Sequence, residues 1–140
     1  MANKRLGSTA SFSGSVAYQL DATCNLDGFG KSGGVFFLKE GSAAYTITLP
    51  AVSNSAWHGK FIVQASPASY AITIASVDGD DIKGIEFADA DTAAATDSDW
   101  DSVTVSTNAV AGDYVEFVSD GTNWYAHMHA SADNAFTQTD

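Results

Sequence analysis

The chain has 140 residues, 45% of them hydrophobic, and its 17 acidic and six basic side chains give a formal net charge of −11. A chain of this length buries roughly 68–70% of its unfolded surface, so we expect one domain that needs no disulfide, with the single Cys24 as a small buried apolar residue. So acidic a surface repels phosphate backbones, which argues against nucleic acid as a partner. The sequence has no run of about 18 apolar residues, so it predicts no membrane span.

Charge is unevenly distributed along the chain. Residues 1–70 carry five basic and three acidic side chains, whereas residues 71–140 carry one lysine and fourteen acids. Arg5 is the only arginine, and enzymes that hold phosphate or carboxylate substrates usually use arginine forks. The composition therefore argues against such an enzyme, and the excess of Asp is equally well explained by solubility alone.

The N-terminal segment, residues 1–14, is small and polar and has neither a helix nor a strand pattern. It predicts an extended arm. Two basic residues stand near its start, but no apolar core follows them, so the segment does not have the pattern of a secretory signal.

From residue 15 onward, short strand-like runs alternate with turn residues at the spacing typical of a sandwich or barrel. No stretch longer than about ten residues shows the 3.6-residue period of an amphipathic helix. Residues 21–34 are Gly-rich and predict a loop, residues 88–100 predict a second long loop, and residues 131–140 predict a polar C-terminal tail.

The predicted fold is a single-domain antiparallel β-sandwich or β-barrel of residues 15–130. The predicted strands are 15–20, 35–39, 45–49, 59–65, 70–75, 83–87, 102–106, 114–119 and 123–129.

The strongest local pattern is a hairpin at residues 112–129, with the sequence GDYVEFVSDGTNWYAHMH. Its turn lies between two runs rich in β-branched and aromatic residues, and the turn glycine readily adopts the positive φ that a tight turn requires. Alternation predicts that successive side chains of each strand point to opposite faces. Two strands alone cannot bury so much aromatic surface, so we expect other strands to cover them. The residues assigned to this structural hairpin are Tyr114, Phe117, Asp120, Gly121 and Trp124.

Metal binding is the first chemistry that the residues suggest. His127 and His129 are two apart on a predicted strand, so both imidazoles project from one face, and His58 is the candidate third ligand. The simpler interpretation is two polar residues on a solvent-facing or subunit-facing side. Carboxylates at residues 78–81 and 89–101 offer oxygen ligands for calcium, but they lack the spacing of the helix-loop-helix calcium sites. We therefore expect no metal and no cofactor.

Catalytic motifs are not evident. The glycines at residues 28–34 lack the spacing of a phosphate-binding loop, and there is no Gly-x-Ser-x-Gly nucleophile motif, so we predict that the chain is not an enzyme. Trp57 and Trp100 stand next to predicted loops and are candidate exposed aromatic contacts, because tryptophan is enriched at binding surfaces. The alternative, in which both indoles fold back over the end of the sandwich, stays open.

Five segments carry a further pattern: ITLP at residues 47–50, GKFIV at 59–63, YAITIA at 70–75, IKG at 82–84 and GDYVEFVSDGTNWY at 112–125. The series resembles small virion proteins of tailed phages, namely the capsid decoration (cement) proteins and related fibre β-domains. The resemblance covers residues 44–129, and the hairpin is its most specific part. The short chain, the missing shaft-like repeat and the N-terminal arm favour a decoration protein; the alternative is a phage fibre or receptor- or carbohydrate-binding β-domain.

The resemblance implies a mechanical role. A homotrimer would bind the major capsid protein on the outside of the head and stabilise capsomer junctions, and many copies would add avidity to modest contacts. The implied location is the virion surface after synthesis in the host cytoplasm, with no membrane or nucleic-acid partner. The acidic second half would face solvent and the N-terminal arm would face the shell. The candidate capsid contacts on the arm are Lys4, Arg5, Leu6 and Phe12.

Overall fold

The computed structural model describes residues 8–12, 15–27, 32–53, 56–77, 80–88 and 94–140, and the strands within these ranges form two sheets. The strands are β1 (Ser8–Phe12), β2 (Ser15–Leu20), β3 (Cys24–Asn25), β4 (Gly34–Leu38), β5 (Tyr45–Thr48), β6 (His58–Val63), β7 (Ile72–Ala75), β8 (Ile82–Ala88), β9 (Ala94–Trp100), β10 (Ser102–Val105), β11 (Tyr114–Ser119), β12 (Trp124–Ala130) and β13 (Phe136–Thr139).

The two sheets differ in size. The larger sheet has eight strands in the order β1-β2-β4-β6-β11-β12-β8-β9, and the smaller has five in the order β13-β10-β7-β5-β3. Burial alternates along the strands, as in β4 of the larger sheet and β5 of the smaller. The buried rows of both sheets form one hydrophobic core, as in a β-sandwich. The predicted all-β sandwich is therefore confirmed.

The strand directions differ from the predicted antiparallel arrangement, because both sheets are mixed. β4 is parallel to β2 and to β6 in the larger sheet, and β5 is parallel to β3 and to β7 in the smaller. From β4 to β7 the chain alternates between the two sheets, so successive visits to one sheet run in the same direction. Alternation of side chains along a strand carries no information about this connectivity.

The predicted N-terminal arm contains a strand. β1 pairs antiparallel with β2 and forms an edge of the larger sheet. The prediction of an extended arm is therefore wrong for residues 8–12, whose sequence STASF pairs through its backbone although Ala10 and Phe12 are its only apolar residues. Phe12 is the last residue of β1. The candidate contacts Lys4, Arg5 and Leu6 lie outside the described residues.

The predicted C-terminal tail also contains a strand. β13 pairs antiparallel with β10 at an edge of the smaller sheet. Phe136 is 1% exposed and Ala135 is fully buried, so this segment completes the core. The prediction of a polar tail is wrong here because one aromatic residue among polar neighbours is too weak a signal for a strand.

The long loop predicted at residues 88–100 is wrong for its second half. That half forms β9, which pairs antiparallel with β8 at the other edge of the larger sheet. Its sequence AATDSDW contains few residues with high β-propensity, so tertiary pairing overrides the local preference. The Gly-rich loop predicted at residues 21–34 likewise includes the two-residue strand β3.

Glu40 joins the loop after β4 to the turn before β7. Its carboxylate accepts hydrogen bonds from the backbone N–H groups of Ser69 and Tyr70. Bonds from the backbone of Ser69, Ala68 and Tyr70 lower the pKa of the carboxyl below its ordinary value of 4.5. A carboxyl with a lowered folded pKa stabilises the fold above its ordinary pKa, and that contribution is lost as the pH falls through the folded pKa.

We expect Glu40→Gln to reduce the loss of stability in acid. Below pH 4.5 the wild-type melting temperature should fall more steeply than that of the variant, because only the wild type has to protonate this carboxylate. Thermal unfolding followed by circular dichroism, from neutral pH into acid, measures the difference. Melting temperatures that fall equally with pH in acid for the two proteins would contradict this expectation.

Candidate interaction surface

The predicted hairpin is confirmed and lies at the centre of the larger sheet, with β6 beside β11 and β8 beside β12. In its turn, Asp120 Oδ1 accepts bonds of 2.8 Å from the backbone N–H groups of Thr122 and Asn123. Asp120 Oδ2 accepts a 3.0 Å bond from the Tyr125 hydroxyl. The bonds from Asn123 and Thr122 lower the pKa of the Asp120 carboxyl. Gly121 has a φ of +95°, in the region that favours glycine.

The two faces of the hairpin have different environments, as alternation predicted. Phe117 and Trp124 point into the core, where they are 1% and 0% exposed, whereas Tyr114 points away from the core and is half-buried. The Phe117 and Trp124 rings meet edge to face, with their centroids 6.4 Å apart. The inner face thus supplies the core, and the outer face is free to form a surface.

Trp57 and Trp100, the candidate exposed contacts, are both buried at 4% exposure. Trp57 meets Trp124 edge to face at 5.5 Å and covers Gly59, where a Cβ atom would stand 2.7 Å from the Trp57 ring. Trp100 is the last residue of β9 and belongs to the hydrophobic core. The expectation of exposed aromatic contacts is therefore wrong, and the alternative of indoles folded onto the core is the correct one.

The outer face of the larger sheet collects all three histidines of the chain. We define it by the side chains of β4, β6, β11, β12 and β8 that point away from the core, according to the burial patterns and the strand registers. They are Val35, Phe37, His58, Lys60, Ile62, Lys83, Ile85, Tyr114, Glu116, Val118, Tyr125, His127 and His129.

Lys60 lies at the middle of this outer face. Its Nζ is 3.2 Å from Glu116 Oε1 and 3.7 Å from the centroid of the Tyr114 ring. Tyr114 in turn stacks on His129, with the ring centroids 4.7 Å apart. The four side chains form a continuous cluster across β6, β11 and β12. Because the ion pair is exposed to solvent, it contributes little stability, but it leaves the centre of the face without net charge.

A depression of about 260 Å³ lies beside this cluster. It is lined by residues of β4, β6, β11 and β12, together with Gly33. The side chains that matter for its chemistry are Val35, His58, Lys60, Glu116, Val118 and His127. The depression is of a size to receive one side chain of a binding partner.

His58 is oriented by the loop that precedes β4. Its Nδ1 is 2.6 Å from Ser32 Oγ, and its backbone N–H donates to the same oxygen at 3.1 Å. Ser32 Oγ also donates to the Ala56 carbonyl at 3.0 Å. Ser32 therefore holds the His58 imidazole at the rim of the depression, and the other hydrogen bonds of the Ser32 hydroxyl are to backbone groups.

The outer face of the smaller sheet has a different composition. Thr46, Thr73, Thr104 and Thr137 are in register across four strands, and the Thr73 and Thr104 hydroxyls are 3.2 Å apart. The sandwich thus has one outer face of small hydroxyl side chains and one of aromatic, aliphatic and imidazole side chains. Only the second offers large apolar side chains to a partner.

The structure brings the three histidines to one face, but among the residues that it describes there is no group of three or more His, Cys, Asp or Glu side chains placed to hold a metal. His129 stacks on Tyr114, while His127 lines the depression.

Of the calcium candidates, Asp80 accepts a 3.0 Å hydrogen bond from the Val52 backbone N–H through Oδ2. Residues 78, 79 and 89–93 lie outside the described ranges.

Cys24 lies in β3 and packs, half-buried, against the hydrophobic core. Burial raises the pKa of its thiol to about 11, so almost none of it is the reactive thiolate at neutral pH. This placement agrees with the expectation of a small apolar residue.

Sequence reasoning missed the depression. Its signal was present in the outward positions of three predicted strands, which carry Lys60, Glu116 and His127, and in His58, which directly precedes the predicted strand 59–65. These positions become neighbours only through the order β6-β11-β12, which no local pattern encodes.

Comparison of the chain with models of known protein families, and with curated protein sequences, gives no match. Within the part of the chain that the structure describes, there is also no helix with the length and apolar character needed to cross a membrane.

Proposed function

We propose that the chain is a structural protein of a tailed-phage virion, a capsid decoration protein that binds the outside of the head and stabilises capsomer junctions. The observation that carries the proposal is the GDYVEFVSDGTNWY hairpin, which forms the centre of the larger sheet as β11 and β12. The other segments of the resemblance overlap β5, β6, β7 and β8 and so involve both sheets. The resemblance therefore spans the framework of the sandwich.

The proposed mechanism is binding without catalysis. The major capsid protein is the proposed partner, and a homotrimer is the proposed assembly, since three subunits that bind together gain avidity from contacts that are individually modest. A net charge of −11 keeps a surface-bound protein soluble and disfavours contact with the packaged nucleic acid. The N-terminal residues Lys4, Arg5 and Leu6 are the proposed contacts with the shell.

Decoration is preferred to a fibre or receptor- or carbohydrate-binding domain because the two tryptophans that were candidates for glycan contact, Trp57 and Trp100, are buried in the core. Tyr70, in the loop before β7, is 43% exposed and is the aromatic residue that the alternative function would use.

The test is cosedimentation of the purified chain with capsids of the encoding phage from which the protein has been removed. We expect saturable binding at a fixed ratio to the major capsid protein. Reversing the charge of the arm with Lys4→Glu and Arg5→Glu should weaken binding on the order of tenfold or more, because it removes two attractive charges and adds two repulsive ones.

The matched control is Lys31→Glu together with Lys39→Glu, which makes the same charge change at two lysines that belong neither to the arm nor to the outer face defined above. Capsid binding by this control should stay near the wild-type level. A wild-type chain that remains in the supernatant would overturn the proposed function, and equal losses in the two double variants would overturn the role of the arm.

A further inference from the structure

The larger sheet ends in two strands that each pair on one side only. Within the described residues, β1 pairs with β2 alone and β9 with β8 alone. An edge strand presents a row of unpaired N–H and C=O groups that can pair with a strand of another chain. β1 has five residues and β9 has seven, whereas the edges of the smaller sheet have two and four. The edges of the larger sheet are therefore the longest backbone surfaces for such pairing.

β1 and β9 run in the same direction, although they lie at opposite ends of the sheet. Of the seven junctions between neighbouring strands, four are antiparallel and three are parallel. An even number of reversals leaves β1 parallel to β9. A neighbouring copy turned about an axis along the strands keeps these directions. β1 of one copy would therefore pair with β9 of the next as a parallel strand, a pairing that the sheet already uses inside the chain.

The strand registers also place the two edges at the same height. Following the paired residues from strand to strand gives one row across the sheet: Ala10, Ala17, Val35, Lys60, Glu116, His127, Ile85 and Ala95. A second copy placed beside the first without a shift along the strands would bring Ala10 next to Ala95 of its neighbour. The backbones of both strands would then overlap over most of their length.

Charge selects which edges can meet. Residues 89–101, which include β9, contain five Asp and no basic residue, whereas residues 1–14, which include β1, contain two basic residues and no acid. β9 beside β9 of another copy would set like charges against each other, which destabilises a strand pair. β1 beside β1 would leave β9 unpaired in both copies. Only β1 beside β9 joins segments of opposite charge and uses both edges.

We infer that β1 of one copy adds to β9 of the next, so that the larger sheets of neighbouring copies become continuous. A strand of another protein would occupy one edge and leave the other unpaired, whereas a second copy supplies the complement of both. The contact joins two different surfaces of the same chain, and contacts of this kind generate closed rings. The inference rests on the proposed function for the number of copies, three, and adds the surface that joins them.

The test is disulfide crosslinking of the full chain without capsid. Every variant carries Cys24→Ser, so that the introduced cysteines are the only thiols. Ala10→Cys and Ala95→Cys are combined in one chain, because neighbouring strands lie about 4.7–4.9 Å apart and a disulfide spans Cα atoms about 4.4–6.8 Å apart. After mild oxidation, non-reducing electrophoresis should move most of the protein from 14.6 kDa to a product of three chains. Asp97→Cys in place of Ala95→Cys, and Phe12→Cys in place of Ala10→Cys, cover shifts of two residues along the strands.

Single-cysteine variants test that unlike edges meet. Ala10→Cys alone and Ala95→Cys alone should each stay monomeric after oxidation, and they should form a product of two chains only when coexpressed. The matched control combines Ala10→Cys with Thr137→Cys, an exposed residue of the edge strand β13 in the smaller sheet. It should give no crosslinked product. Melting curves by circular dichroism, recorded under reducing conditions, confirm that each variant is folded.

Four results would overturn the inference. They are a wild type that is monomeric by sedimentation equilibrium, a trimeric wild type of which none of the three cysteine pairs crosslinks, a product of two chains from Ala10→Cys alone, and equal crosslinking of the Thr137→Cys control. The third result would indicate two-fold pairing of β1 with itself. The proposed function fails by a different result, a crosslinked trimer that does not bind capsids, while a chain that binds capsids without crosslinking refutes the inference alone.

Discussion

Trp124→Ala is expected to destabilise the fold by about 3–5 kcal/mol, the usual cost of removing a large aromatic side chain from a core. Trp124 is fully buried, and its indole meets the rings of Trp57 and Phe117 edge to face at 5.5 and 6.4 Å. Its loss would leave a cavity between these two rings, because close-packed neighbours collapse only partly into a vacated space. Urea unfolding followed by circular dichroism measures the change.

Trp124→Phe keeps an aromatic ring in the core and removes the indole N–H. Comparison with Trp124→Ala therefore shows how much of the loss of stability comes from lost side-chain volume. The indole Nε1 of Trp124 is buried and has no hydrogen-bond partner in the structure, so its removal breaks no bond. We expect Trp124→Phe to cost clearly less than Trp124→Ala. Val118→Ala, on the exposed side of the partner strand, is the control and should change stability by about 0.5 kcal/mol. A Trp124→Ala protein as stable as this control would contradict the assignment of Trp124 to the core.

Asp113→Ala is expected to cost about 1.5–3 kcal/mol, since it removes the charged acceptor of two partly buried hydrogen bonds from the backbone. Asp113 is 5% exposed and precedes β11. Its Oδ2 accepts from the Val110 backbone N–H at 2.9 Å, and its Oδ1 accepts from the Ser131 backbone N–H at the same distance. The carboxylate thereby ties the entry of the hairpin to its exit. The free energy of unfolding in urea is the measured quantity.

Asp113→Asn is a second variant that tests this explanation. An amide of the same shape keeps one acceptor oxygen but replaces the other with a donor, so we expect an intermediate loss. Asp133→Ala removes an exposed carboxylate from the segment that follows β12 and serves as the control for charge. If Asp133→Ala cost as much as Asp113→Ala, the effect would come from net charge and not from the two hydrogen bonds.

The fold class was predictable because β-branched and aromatic residues alternate along most of the strands. β5, β6, β11 and β12 were found almost to the residue, and the turn at Asp120 and Gly121 was found from its own chemistry. β1, β3, β9 and β13 were missed. Each is an edge strand that pairs with only one neighbour, so its sequence need not alternate over its whole length.

The roles of the two loop tryptophans were not predictable from their positions. Trp57 immediately precedes β6, and Trp100 ends a strand that was taken for a loop, so both had the sequence context of exposed residues. Gly59 explains the burial of Trp57, because its missing side chain leaves the space that the indole fills. Such a relation between neighbours in space follows from the packing and not from spacing along the chain.

The sequence by itself determined the strand-forming segments, the inward and outward positions along them, the hairpin turn and the acidic charge, since each depends on residues within a few positions of one another. Only the tertiary structure decided the strand order, the mixed directions of the sheets and the gathering of three histidines on one face. The physical reason is that strand pairing uses backbone groups that every residue shares, so the choice of neighbour is made by packing of the whole core.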